Sequence, residues 1–420
     1  MLEKQTKTSV VEKKITVKQL QIGMYVNRLD RPWTETPFLF QGFYIRDDAE
    51  IAELRRYCKY VYIDAEQSPN PDLSTSSEHN DQKKVTARTD TATVDVASAY
   101  SVAETALNEE LIVAEKSHKE GLRRVIKIMD QLRGGSKPKI GALKETVDRT
   151  VDSVLRNPDA MTWLTRMKHT DSYIYHHSMA SSIWAIILGR HLGLKREMLE
   201  TLGLGAMLLD IGKTKIDKDL LVKPDKLTPA EAKVMRKHLD YGLEILKNQP
   251  NTDERVIEMV ATHHERHNGT GYPRGLKGTQ IPVFGRIAGI VDCYDAMISA
   301  RPYARQYSPF EATQRLTNLA DVEFQVEMVE QFIQAIGVFP TGTLVEMSTG
   351  EVAVVTSQNR VRRLRPEIML ILDSNKQLRK EFPIIDLRTV TTDPSHEKSL
   401  WIVKGLEPGA YGIDPSQFYL

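Results

Sequence analysis

Imidazoles and carboxylates are concentrated in one part of this chain: eight of its eleven histidines lie between His169 and His267. The densest stretch is HHERHNGTGYP, residues 263–273. Two adjacent imidazoles are followed by a glutamate and a turn in which Gly269 and Gly271 let the backbone approach a ligand closely. Neighbouring histidines cannot both sit on one apolar helix face, but a frayed helix end can aim them at adjoining metal positions. Further donors lie upstream and downstream. His176-His177-Ser178 opens an apolar run through Trp184, Ile187 and Leu188, and Leu208-Leu209-Asp210-Ile211-Gly212-Lys213 sets a carboxylate beside a cation. His238 lies on a polar helix that begins after Leu227-Thr228-Pro229-Ala230-Glu231. In residues 286–298 (RIAGIVDCYDAMI), Asp292 falls in the middle of an apolar helix, where a buried carboxylate demands a partner, Arg286 or Arg301. Mixed imidazole and carboxylate ligation suits iron, manganese, nickel or zinc rather than calcium. More than four donors imply two metals bridged by one carboxylate, as in two-metal phosphoester hydrolases. Lys213 and Arg301 then supply positive charge for a phosphate.

These donors need helices to hold them. Residues 140–337 read as successive helices with short connections, apolar residues recurring at three- and four-residue steps. Thr228 is placed to cap one of them, with Pro229 in the first turn and Glu231 completing a capping box. Residues 1–66 are expected to form a small α/β domain, with strands near Tyr25 and Tyr44, a helix over 47–57 and a strand over 60–63. Residues 67–93 are polar and almost empty of large apolar side chains, which marks a flexible linker. A helical connector follows over 94–139, with Val102, Leu111, Leu122, Val125, Ile126 and Met129 as buried candidates and Gly134-Gly135 ending the helix. Its first long helix can pack on the domain behind it or on its own copy in a homodimer. Residues 338–420 are expected to form a β-rich lobe, with strands over 343–347, 351–356, 368–372 and 382–386 and a turn at Ser348-Thr349-Gly350. Residues 355–365 carry several arginines, read as a solvated face.

Composition narrows the class. The 420 residues are 41% hydrophobic and 27% charged, with a net charge of +1, so there is no global field for gripping a nucleic acid polymer. Two cysteines, Cys58 and Cys293, make no disulfide framework. No apolar run approaches the ~18 residues of a membrane span, and the first residues lack the apolar core of a signal peptide, so a cytoplasmic protein is expected.

Residues 171–303 resemble the HD-GYP domain, a branch of the HD phosphohydrolase superfamily. The matching text is Asp171-x-Tyr173 with His177-Ser178, Asp210-Ile211-Gly212-Lys213, Lys223-Pro224 with Leu227-Thr228 and Glu231, His238 with Gly242, HHER followed by GYP, Ile281-Pro282, Asp292-x-x-Asp295-Ala296, and Arg301-Pro302-Tyr303. Residues 15–66 resemble the small uncharacterised domain that often precedes it. The resemblance implies a mainly α-helical multi-domain protein and a metal-dependent cyclic di-GMP phosphodiesterase yielding pGpG and in some members GMP. It implies two divalent metal ions, iron or manganese, held by His177, Asp210, His238, His263, His264 and Asp292, with Asp210 bridging. Lys213 and Arg301 would contact phosphate. Gly271, Tyr272 and Pro273 would shape the rim of the guanine pocket and a docking face for diguanylate cyclase (GGDEF) domains.

Departures from the family pattern bear on activity. The histidine of the family's His-Asp pair is Leu209 here, which cannot ligate metal. Asn268 stands where an aspartate is usual, and Ala304 where a basic residue is common, with Arg305 next to it. Tyr173 takes the place of a glutamate that helps some relatives bind a third metal. The alternative to a phosphodiesterase of reduced activity is therefore a non-catalytic cyclic di-GMP receptor or adaptor working through the GYP face. An HD phosphohydrolase for another nucleotide is a third reading, opposed by the GYP loop. His79, His118, His169, His191 and His396 are expected to be solvated, and His176 to be a neighbour of the site.

Overall fold

In this computed structural model the described residues are 12–30, 43–45, 48–64, 105–166, 173–299, 305–359, 364–390 and 400–418. The expected linker over 67–93, Val102, His79, His169, His396, Arg301-Pro302-Tyr303-Ala304 and most of the arginines near 360 lie outside them. The chain divides into two compact units, Met1–Ala97 and Ser98–Leu420.

The first unit pairs β1 (Glu12–Thr16), β2 (Tyr25–Leu29), β3 (Phe43–Tyr44) and β4 (Tyr60–Asp64) into one antiparallel sheet of order β1-β4-β2-β3. Helix α1 (Asp48–Tyr57) contributes Ile51 and Leu54 to a core shared with Ile15, Val26, Val61 and Ile63.

The second unit is built on α5 (Tyr173–His191). It follows α2 (Leu107–Arg133), α3 (Lys144–Arg156) and α4 (Pro158–Leu164), and precedes α6 (Arg196–Met207). Helix α5 is apolar on every side and buried along nearly its whole length, the pattern of a helix enclosed by others. It packs against α2, α3, α4 and α6, and against α11 (Val283–Ile298) and α13 (Val326–Ile336). That enclosure corrects two of the expected surface histidines. His191, on α5, is buried and lies 3.0 Å from Gln331 Oε1. His118 is buried because α2 turns that face onto its neighbours.

Short elements link α6 to α11: α7 (Lys218–Leu221), α8 (Pro229–Arg236), α9 (His238–Lys247) and α10 (Glu254–Thr262). The capping box at the start of α8 is formed, Thr228 and Glu231 exchanging hydrogen bonds across the first turn, and Lys223 Nζ adds two bonds to the same Glu231 carboxylate. The helix predicted to carry His238 is two: α8 ends at Arg236, Lys237 makes a turn, and His238 opens α9. After α12 (Pro309–Leu319) and α13, five strands form an antiparallel sheet of order β8-β7-β6-β5-β9: β5 (Leu344–Met347), β6 (Val352–Ser357), β7 (Glu367–Leu372), β8 (Ile384–Asp386) and β9 (Ile402–Gly405). Gly350, at φ 82°, makes the expected turn between β5 and β6. Strand β9 was not anticipated. The sheet is fastened to the helices by Asp159, buried on α4, whose carboxylate accepts hydrogen bonds from Thr341, Ser357 and the Gln358 amide. Among the described residues no helix is long and apolar enough to cross a membrane.

Candidate metal centre

Five separate elements deliver six donors to one place. His177 comes from the first turns of α5, Asp210 from the bend after α6, His238 from the first residue of α9, His263 and His264 from the end of α10, and Asp292 from the middle of α11. They form two groups, Asp210–His238–His263–His264 and His177–Asp210–Asp292, with the potential ligand atoms of each group within 4.8 Å of one another. Asp210 belongs to both. Its Oδ1 lies 3.5 Å from His238 Nε2, whereas its Oδ2 lies 3.6 Å from His177 Nε2 and 2.5 Å from Lys213 Nζ. One carboxylate thus turns an oxygen toward each group.

Backbone bonds settle the tautomers in the four-donor group. His238 Nδ1 is 2.8 Å from the Met235 carbonyl and His263 Nδ1 is 2.9 Å from that of Val260. A carbonyl can only accept, so each Nδ1 carries the proton and each Nε2 offers a lone pair to the site. Burial lowers the pKa of His238 and brings that of His263 down to about 4. Burial and the neighbouring His263 lower that of His264 well below its ordinary value. All three rings are therefore neutral at pH 7, the form in which imidazole ligates metal. His238 Nε2, His263 Nε2 and Asp210 Oδ1 are buried without a hydrogen-bond partner. Three orphaned acceptors facing one another are unfavourable, since each buried unsatisfied group costs about 1–3 kcal/mol. A divalent cation satisfies all three, so the residues fit a metal here.

The three-donor group is different. His177 Nδ1 lies 2.7 Å from Asp295 Oδ2, and Nε2 lies 3.0 Å from Asp292 Oδ1. Burial opposes a charged His177, but the bonds to Asp292 and Asp295 prevail and raise its pKa to about 10. Burial opposes ionisation of Asp292, but the bond from His177 together with the neighbouring imidazoles holds it well below the usual carboxylate range. Burial likewise opposes ionisation of Asp210, and Lys213, His238 and His177 together outweigh it. This group is closed on itself by hydrogen bonds, and Leu209, buried beside Asp210 in the chain, adds no donor. The Asp292 partner expected from sequence was Arg286 or Arg301. The structure pairs Asp292 with His177, and Arg286 donates instead to Gln325.

Two carboxylates that the sequence reading named without a role act as positioning groups. Asp295, one helical turn beyond Asp292, accepts from His177, Trp184 Nε1 and Ser299 Oγ, so it fixes the His177 ring. The three-residue spacing from Asp292 was the available signal. Glu265, buried next to His264, accepts from the backbone N–H of Arg274 and of Leu276 and so draws the loop after Pro273 back onto the histidine pair. In the turn that precedes it, a Cβ on Gly271 would meet the Arg266 nitrogen at 2.3 Å, which is why the tight passage needs glycine. The Tyr272 ring stacks on His264 with centroids 4.7 Å apart, and Pro273 is exposed. Gly212 is equally constrained: a Cβ there would lie 1.9 Å from the His238 carbonyl oxygen, so glycine lets the Asp210 bend and the start of α9 meet.

The comparisons agree with this architecture. Residues 159–326 match the HD domain, residues 12–143 the domain of unknown function DUF3391, and residues 344–412 the KOW domain associated with HD domain. The chain is 31% identical over 377 residues to cyclic di-GMP phosphodiesterase PA4108 of Pseudomonas aeruginosa, covering 89% of each chain. It therefore belongs to the HD-domain family that includes PA4108. It is also 36% identical over 148 residues, 35% of this chain and 40% of the relative, to a cyclic di-GMP phosphodiesterase of Thermotoga maritima. A 3'3'-cGAMP-specific phosphodiesterase of Vibrio cholerae is 32% identical over 159 residues, 38% of this chain and 30% of that relative. Among solved structures, Bd1817, an HDG"Y"P protein from Bdellovibrio bacteriovorus, aligns with a TM-score of 0.46 at 16% identity, covering 76% of this chain and 98% of that one.

Proposed function

We propose that this chain is a metal-dependent phosphodiesterase that hydrolyses cyclic di-GMP to the linear dinucleotide pGpG. The observation that carries the reading is the shared Asp210 carboxylate, with one oxygen toward each donor group and three orphaned acceptors on one side. Two divalent cations, iron or manganese, held by His238, His263, His264 and Asp210 and by His177, Asp210 and Asp292, would supply Lewis acidity and a water ionised near neutral pH. The protein's part is positioning. Asp295 and the Met235 and Val260 carbonyls fix three imidazole rings, burial keeps the α9 and α10 rings unprotonated, and Lys213 holds a cation 2.5 Å from Asp210 where an incoming phosphate would need one. Arg301 is proposed as a second phosphate contact, and Gly271, Tyr272 and Pro273 as the rim against the guanine base. The substrate reading is supported by the relative that spans most of both chains.

A second reading, a cyclic di-GMP receptor or an adaptor for a GGDEF domain, is favoured by one observation: a buried leucine stands before Asp210 where a further donor would complete the three-donor group. The test purifies the full chain without oxygen, measures metal per chain by elemental analysis, and follows cyclic di-GMP and 3'3'-cGAMP with added Mn or Fe by chromatography. Turnover of cyclic di-GMP supports the enzyme. Tight binding without turnover at full metal loading supports the receptor, and preferential turnover of 3'3'-cGAMP refutes the substrate assignment.

A further inference from the structure

The cations around the donor groups are mostly committed within the protein. Lys213 binds Asp210, Lys223 binds Glu231, Arg266 binds Glu323 and two backbone carbonyls, and Arg286 binds Gln325. Arg236 is different. It is the last residue of α8, two before His238, and its side chain is exposed. Its guanidinium carbon lies 4.7 Å from the centroid of the Tyr272 ring, which itself stacks on His264. An imidazole, a phenol and a guanidinium thus form a continuous stack leading outward from the donor groups. Among the described residues, the guanidinium N–H donors of Arg236 meet no hydrogen-bond acceptor. A guanidinium resting on an aromatic face keeps those donors free at its edge, in the fork that matches two phosphate oxygens. The ring contact also restrains a side chain that would otherwise lose much rotamer freedom on binding.

The helix carrying Arg236 is held at both ends. The Thr228–Glu231 box with Lys223 fixes its start, and the contact of Gly212 with the His238 carbonyl fixes the chain just beyond its end. A cyclic dinucleotide carries two phosphodiesters. With one on the metal centre, the other must lie to the side, at a distance set by the sugar–phosphate macrocycle of the ligand. We propose that Arg236 is a substrate-contact residue that forks onto this second, uncleaved phosphate, so that the Tyr272–Arg236 stack selects cyclic dinucleotides over esters with a single phosphate. This rests on the phosphodiesterase reading above and adds a specificity determinant to it.

The experiment compares wild type, Arg236→Ala and Arg236→Lys as Mn-loaded full-length protein, on cyclic di-GMP and on bis(p-nitrophenyl) phosphate, which has one phosphate. A contact to a non-reacting group binds ground state and transition state alike. Arg236→Ala should therefore raise KM for cyclic di-GMP by about 10–100-fold and change kcat by less than about threefold. The loss should fall at least about tenfold harder on the dinucleotide than on the single ester, metal per chain should match wild type, and Arg236→Lys should recover part of the affinity. An unchanged KM overturns the proposal. So does an equal fall on both substrates accompanied by metal loss, because Arg236 would then act only by bracing Tyr272 and His264. A wild type that cleaves neither substrate refutes the phosphodiesterase reading by itself. Calorimetric titration with cyclic di-GMP then decides the contact: at least tenfold weaker binding by Arg236→Ala supports it, and equal binding, or no binding by wild type, overturns it.

Discussion

Leu209→His tests the reading of the three-donor group most directly. The leucine is 1% exposed, so it contributes about 1.5–3 kcal/mol through burial. Histidine gives up part of that, and without metal it adds a buried imidazole with an unsatisfied nitrogen, at about 1–3 kcal/mol. The metal-free variant should be less stable by roughly 2–5 kcal/mol, which at ~2–4 °C per kcal/mol lowers Tm by about 4–20 °C. Metal reverses the sign. If the added imidazole joins His177, Asp210 and Asp292, the three-donor group becomes a four-donor one, and a cation at 100 times its Kd returns about 2.7 kcal/mol. Thermal unfolding with and without Mn should therefore show a larger metal-dependent rise in the variant than in wild type. Elemental analysis should show occupancy moving toward two ions per chain, and cyclic di-GMP turnover should increase with it. The reasoning fails if the variant gains no metal, because the group would then be closed for reasons beyond this residue. It fails differently if wild type already holds two ions and turns over rapidly, since Leu209 would then be a tolerated variation.

Three further outcomes follow from the geometry. His263→Ala with His264→Ala removes two neutral donors from the four-donor group, so metal content should fall by about one equivalent or more; unchanged elemental analysis refutes the assignment. Since His263 is fully buried, the double variant should also lose stability, checked by thermal unfolding. Gly212→Ala places a methyl 1.9 Å from the His238 carbonyl oxygen, and relieving that clash should cost about 1–3 kcal/mol and loosen metal binding, whereas wild-type Tm and metal content would contradict the contact. Asp295→Asn replaces a carboxylate that accepts from His177, Trp184 and Ser299, and should weaken metal binding by about 10–100-fold in competitive chelator titrations with little change in helix content by circular dichroism.

What could be read from the sequence was what is local. The Thr228–Glu231 capping box, the Gly134-Gly135 stop and the turn at Gly350 depend on residues within a few positions of one another, and each is found where its residue types require it. The pairing of His177 with Asp292 joins residues 115 apart, so nothing near Asp292 could show that its partner is an imidazole rather than an arginine. The break between α8 and α9 carries no proline or glycine to mark it. Strand β9 is four residues long, sits at a sheet edge and buries none of them fully, which removes the alternation that announces a strand. His191 was misread because its polarity was weighed without the apolar surroundings of α5 on every side.

The donors themselves were legible as residue types, but not as unequal groups. In sequence, His177, Asp210, His238, His263, His264 and Asp292 look like one set with a gap at Leu209. The resemblance puts that gap on the side of His177, Asp210 and Asp292. His238, His263 and His264 are neutral, two of them with lone pairs fixed by backbone carbonyls, and none depends on residue 209 for its position or protonation. His177, Asp292 and Asp295 have satisfied one another, so a cation entering there must displace a proton as well as bind. Losing a donor at 209 thus acts on the group already less disposed to take metal. The number of ions per chain is accordingly worth measuring beside turnover: one ion would be enough to hold a phosphate in place, whereas a second would supply the further Lewis acidity that hydrolysis uses.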